Sequence, residues 1–123
     1  MTGSVDEFFD GDPTARQIHD RLVGEFTAVE GVVVHVSRSQ VAYRLGRTFA
    51  IEWRPGRYLR SEVPLVLSLP LRQRLESTRF KQVVQVARGT WMHHLELRSA
   101  AEVDDEVRRW IRLARGQAQE PRT

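Results

Sequence analysis

Between Val32 and Leu97 the apolar residues of this chain recur at every second position, and on either side of that stretch they recur at every third or fourth. A period of two belongs to a strand with one buried face. A period near 3.6 belongs to a helix with one apolar stripe, so the spacing itself writes helix, strands, helix. Val32, Val34 and Val36 form the first alternating set, Val41, Tyr43 and Leu45 the second, and Phe49, Ile51 and Trp53 the third. Val63, Leu65, Leu67 and Leu69 form the fourth, with Pro64 favouring an edge or a late start and Pro70 expected to end it. Phe80–Val86 and Trp91–Leu97 close the series around Arg88-Gly89, as Gly46-Arg47 joins the second and third sets; both read as hairpins. About six antiparallel strands follow.

The leading helix starts with Asp12 as N-cap and Pro13 in its first turn. Its stripe is Ala15, Ile18, Leu22, Phe26 and Val29, ended by Gly31, with Phe8 or Phe9 covering its start and His19 beside the stripe, partly exposed. The closing helix carries Val103, Val107, Trp110, Ile111 and Ala114 behind a Ser99–Glu102 capping box, with Asp104–Arg108 and Asp105–Arg109 as pairs one turn apart. The segment from Leu71 to Phe80 reads equally as one helical turn or a loop across the sheet. Each strand has one apolar and one mixed face, so the sheet needs cover on one side only, and the two stripes supply it. The expected fold is α+β: a two-layer sandwich, with the N-terminal and C-terminal helices on one face of the sheet. A strongly curled sheet approaching a barrel is the alternative. Residues 1–123 read as one domain, with 1–6 and 116–123 loose.

Composition excludes more than it selects. The chain has no cysteine, which removes disulfides, thiolate metal sites and cysteine nucleophiles. Its acidic start lacks the pattern of a signal peptide, and no apolar run approaches the roughly 20 residues of a membrane span, so a cytoplasmic protein without membrane attachment is expected. The net charge is +3, and of the 19 basic residues only Lys81 is not arginine, a bias that fits codon usage of a GC-rich genome. The basic residues gather in the middle: from Arg38 to Arg88, eleven stand against Glu52, Glu62 and Glu76.

No motif of catalysis stands out. Ser37, Ser39 and Ser68 lie in no nucleophile-elbow pattern, and neither a phosphate-binding glycine loop nor a dinucleotide fingerprint is present, so no cofactor is expected. Alternation on the last strand sends Trp91, His93, Leu95 and Leu97 to the apolar face, with Trp91, His93 and Trp110 as core residues, and Met92, His94 and Glu96 to the other. Adjacent strand residues point oppositely, so His93 and His94 cannot share a metal, and a third ligand such as His35 or Glu52 would be needed; no metal site is expected. The open face would then collect Gln40, Arg44, Glu52, His94 and Glu96, with Arg44, Glu52, His94 and Glu96 as ligand-binding candidates, where a histidine beside a carboxylate is capable of acid–base work. Arg38, Arg47, Arg54, Arg57 and Arg60 are the anion-binding candidates. With Tyr43, Trp53 and Tyr58 among them they suggest stacked bases and held phosphates, though Tyr43 and Trp53 fall on the helix-covered face in this reading.

The stretches F-F-D-G-D-P at Phe8–Pro13, S-Q-V-A-Y-R at Ser39–Arg44, R-F-K-Q-V-V from Arg79 and above all G-T-W-M-H-H-L-E-L-R-S from Gly89, followed by D-D-E-V-R-R-W-I, resemble the bacterial domain-of-unknown-function family 5655. The resemblance covers nearly the whole chain and implies a small α+β domain of bacteria, stand-alone or appended, with no assigned activity and no catalytic residues to carry over. The resemblance supports the fold and leaves function open; the expectation from the residues is a module for protein–protein interaction or self-association through the sheet face or an edge strand. Nucleic-acid or anionic-ligand binding through Arg38–Arg60 is the alternative, and an enzyme built on His94 and a nearby carboxylate the third.

Overall fold

The computed structural model describes residues 4–57 and 61–120. A first short helix, α1 (Val5–Phe8), opens the described chain where a loose terminus was expected; the Ser4 hydroxyl caps it by accepting from the Glu7 N–H. Both Phe8 and Phe9 are buried. Helix α2 (Pro13–Phe26) begins as its sequence demands, with the Asp12 carboxylate accepting from the Ala15 N–H at 3.0 Å. It ends at the Thr27 cap, before Val29, and Gly31 serves the turn into the sheet at a φ of 89°.

Six strands follow: β1 (Val33–Val36), β2 (Val41–Leu45), β3 (Arg47–Trp53), β4 (Leu65–Leu71), β5 (Phe80–Ala87) and β6 (Thr90–Leu97). They form one antiparallel sheet in the order β1-β2-β3-β4-β6-β5. Strand β4 runs through Pro70 to Leu71, where an end at Pro70 was expected. The β3 ladder leaves β4 at Ser68, so Pro70 has a strand neighbour on one side only, the edge-like position that a residue without an N–H tolerates. The segment between Leu71 and β5 is irregular rather than helical.

Helix α3 (Asp105–Gln119) closes the fold, reaching past the expected frayed start at Gly116. Its cap is Asp104, accepting from the Val107 N–H at 3.1 Å, and not Ser99, whose hydroxyl makes no capping bond. Ala100–Glu102 instead forms a 3-10 turn, and the Glu102 carboxylate turns back to the Arg98 N–H. Buried Val103 separates that turn from the helix, so the carboxylate nearest the helix start takes the cap. Asp104 pairs with Arg79 rather than Arg108, and Asp105 pairs with Arg108 rather than Arg109. Arg79 also donates to Glu106 and to the Glu102 carbonyl and lies 5.6 Å over the Trp110 ring, tying the entrance of β5 to the start of α3.

The helices lie on one face of the sheet, α3 across β2, β3 and β4 and α2 against α3. Between the layers sit Ile18, Leu22, Phe26, Val107 and Ile111 from the helices and Leu65, Leu67, Leu69, Leu71, Leu95 and Leu97 from the strands. His93 is fully buried there as expected, whereas Trp91 and Trp110 are only half-buried at the margin. Trp110 stacks on Phe80 with ring centres 4.5 Å apart.

One irregularity decides which residues face where. Tyr43 pairs with Ala50 but Arg44 pairs with Thr48, so Phe49 is an extra residue in β3, a β-bulge. Because alternation has a period of two, one inserted residue reverses the faces beyond it. Phe49, Ala50 and Glu52 all lie in the buried layer, and Ile51 and Trp53 pass to the side away from the helices, against the unbroken alternation expected for this strand.

Candidate binding site on the uncovered sheet face

The face without helices carries one residue from each strand in a continuous row: His35, Ala42, Ile51, Ser68, His94 and Gln82. Ser68 and His94 stand at its centre, with the Ser68 oxygen 2.7 Å from His94 Nδ1. Ser68 was not expected to matter, yet the signal was present: in L-V-L-S-L the leucines alternate inward and leave a lone serine outward. Burial first, then neighbouring His93, pushes the His94 imidazole below the usual histidine range, so at neutral pH it is uncharged. With Nδ1 held by the hydroxyl, Nε2 makes no hydrogen bond among the described residues and is left for a ligand.

Two hollows of about 260 Å3 each flank this centre and share Trp53 and His94. One has Val66 and Pro55 against Lys81, Gln82 and Glu96; the other has Ser39 and Gln40 above Ile51 and Met92. Trp53 belongs to both only because the Phe49 bulge sends it to this side.

Of the four expected ligand-binding residues, His94 and Glu96 line one hollow together. The Glu96 carboxylate is occupied by Lys81 at 3.0 Å and Arg98 at 3.5 Å, and bonds to neither ring nitrogen of His94. Arg44 is exposed on β2 and lines neither hollow. Glu52 does not belong to this face. It is fully buried beneath the helices, where its carboxylate accepts from the Tyr43 hydroxyl at 2.6 Å and both its oxygens lie 2.9 Å from His19 Nδ1. His19 is buried as well, at 4% exposure against the partial exposure expected. Its place was legible, since Ala15, His19, Leu22 and Phe26 are themselves spaced by four, three and four.

The described anion-binding candidates, Arg38, Arg47 and Arg54, are not brought together. Arg54 donates to the Phe8 carbonyl at 2.8 Å and reaches Asp12 at 3.4 Å, beside the start of α2. Arg47 donates to the Glu120 carbonyl at the far end of α3, where Arg72 also binds. Arg38 is exposed in the β1–β2 turn. The side chain of Arg57, together with Tyr58 and Arg60, lies outside the described residues. The arginines that can be followed are largely engaged with helix ends and carbonyls, a structural employment that accounts for much of the basic middle. Among the described residues no three of His, Asp and Glu stand close enough to hold a metal, and no helix is long and apolar enough to cross a membrane.

Neither the curated proteins nor the solved structures searched include a match to this chain. A family model does match, over residues 5–116, from α1 into the last turns of α3. The chain therefore belongs to the family described as a domain of unknown function, DUF5655.

Proposed function

We propose that this domain acts by binding, and that a partner places an apolar or aromatic group into the groove at Trp53 and His94 on the uncovered sheet face. The observation that carries this reading is the pair of hollows meeting at those two residues: apolar walls, a backed imidazole and one free ring nitrogen, the composition of a recognition site. A catalytic role fits less well. Ser68 is 2% exposed, which reserves its hydroxyl for His94, and Glu96 is already neutralised by two cations.

The edge strands are poorer docking places than the face. Strand β5 exposes Val84 and Val86, but its pairing is shifted at two points and Lys81 and Arg88 flank it, devices that blunt a sheet edge. Strand β1 has four residues only. A set of small soluble fragments of mixed chemistry, titrated into the isotope-labelled full chain and followed through backbone amide shifts, tests the reading. Hits should converge on Ile51, Trp53, Ser68, Met92 and His94. Hits confined to the helices, or to a separate hollow that Arg47 and Arg72 line with Pro70 and Ala114, would sink it.

A further inference from the structure

The two hollows differ in charge. The one between Ser39, Gln40, Ile51, Met92 and the shared Trp53 and His94 has no charged side chain in its lining among the described residues. An ionic ligand would lose hydration there without a counter-charge to offset it. Most of its lining is apolar, with a few neutral polar groups at the margin. The Gln40 side-chain carboxamide, the Ser39 hydroxyl and His94 Nε2 make no hydrogen bonds to described residues, so three neutral polar side-chain groups stand unused at its margin, while the Gln40 backbone is tied to Ser37. A saturated hydrocarbon would desolvate them and give nothing back. Trp53 and Met92 favour a flat π surface, through ring stacking and thioether–aromatic contact. At about 260 Å3 the hollow falls just below the ~300–1,000 Å3 of drug-sized sites, which suits one ring system rather than a chain.

Resting on the reading of this face as the binding face, we propose that the hollow receives a neutral planar heteroaromatic ring, the class to which nucleobases belong. Its face lies against Trp53 and its polar edge meets Gln40 and His94. The ring can come as a free nucleoside or as a base of a single strand; the chemistry of the hollow is the same for both.

The full chain is titrated with adenosine, guanosine, cytidine and uridine, with benzyl alcohol as an aromatic lacking the heteroaromatic edge, and with a short mixed-sequence single-stranded DNA. Tryptophan fluorescence and amide shifts report occupancy. At least one nucleoside should bind saturably and at least about tenfold more tightly than benzyl alcohol. Trp53→Leu should abolish that binding. Gln40→Ala and His94→Ala should each weaken it about fivefold, the loss of one neutral hydrogen bond. Gln40→Glu, at a margin position outside the packed core, should weaken it in a chain of unchanged stability, which keeps the test sound if Trp53→Leu folds poorly. Tighter, salt-sensitive binding of the oligonucleotide assigns the ring to a strand, and equal salt-independent affinity assigns it to a free nucleoside. Benzyl alcohol binding here as well as the nucleosides would keep the binding face and overturn the ring class. Absence of saturable nucleoside binding, or binding that survives both Trp53→Leu and Gln40→Glu, overturns the proposal.

Discussion

Tyr43 and Glu52, nine residues apart in the chain, meet in the core through a hydroxyl-to-carboxylate hydrogen bond of 2.6 Å. His19 reaches the same carboxylate from α2, so one buried acid joins β2, β3 and a helix. Phe9 and Phe26 complete the enclosure, Phe9 with its ring 4.5 Å from His19 and Phe26 with its ring 4.2 Å from Tyr43. Polar groups in such a place are satisfied only together, because each lacks water as an alternative partner.

Glu52→Leu should therefore destabilise the fold by about 3 kcal/mol, since it strands the Tyr43 hydroxyl and the His19 ring at once. Adding His19→Leu should return part of that loss instead of adding to it, because the second change removes one of the orphaned groups. Urea unfolding of the two single variants and the double variant measures this. Additive losses would mean that the two side chains do not depend on each other.

Tyr43 makes a second prediction, at high pH. Burial, then the charge of Glu52 and the hydrogen bond to it, hold its hydroxyl far above the ordinary tyrosine value. The unfolded chain releases this proton near pH 10 and the folded chain does not. The stabilising contribution is thus whole below about pH 10 and is lost as pH rises beyond it, by up to about 1.4 kcal/mol per pH unit for one proton. Stability measured from pH 9 upward should fall more steeply in the wild type than in Tyr43→Phe. Equal slopes would show that Tyr43 ionises as easily folded as unfolded.

The helix and strand periods were legible because each side chain announces its own burial. The facing of Glu52 and Trp53 was not, because it depends on a pairing event: Arg44 skips Phe49 to meet Thr48, and no residue in R-T-F-A-I-E-W marks that skip. The same limit hid the acid–histidine–tyrosine cluster, whose members come from three elements. Asp104 displaced Ser99 as helix cap because buried Val103 sets where the helix can begin, and Arg79, from the turn before β5, holds Asp104 in place. The Ser68–His94 pair was half legible: alternation placed each residue on the uncovered face, and only the β4–β6 register put them opposite one another.

His93 should give the fold an acid limb. Its Nδ1–H donates to the Trp91 carbonyl at 3.1 Å and its Nε2 accepts from the Leu75 N–H at 3.0 Å, which fixes a neutral ring. Burial foremost, with repulsion from Arg74 as a lesser cause, pushes its pKa down. The unfolded chain takes up this proton near pH 6.5 while the folded chain still refuses it. Stability is therefore whole above about pH 6.5 and falls as pH drops through it toward the lower folded value. His94 is shifted the same way, so His94→Ala isolates the share of His93. In that background His93→Leu should cost about 2 kcal/mol at pH 7, from the stranded Leu75 N–H and Trp91 carbonyl, and should flatten the remaining acid slope. An unchanged slope would assign the acid limb to other groups.

The phase reversal at Phe49 can be tested by stability alone. If the bulge turns Phe49 inward and Ile51 outward, the two apolar residues of one strand differ sharply in what they bury. Phe49 is fully enclosed by the helices and Ile51 is half-buried at the floor of the groove. Phe49→Ala should cost about 3–5 kcal/mol through lost burial and a cavity that the core cannot close. Ile51→Ala opens onto solvent and leaves no enclosed cavity, so it should cost about 1–2 kcal/mol by lost apolar area. An unbroken alternation would put both on one face and make both losses large. Chemical unfolding of the two variants decides between these outcomes, and a loss at Ile51 matching that at Phe49 would return Trp53 to the core and close the groove.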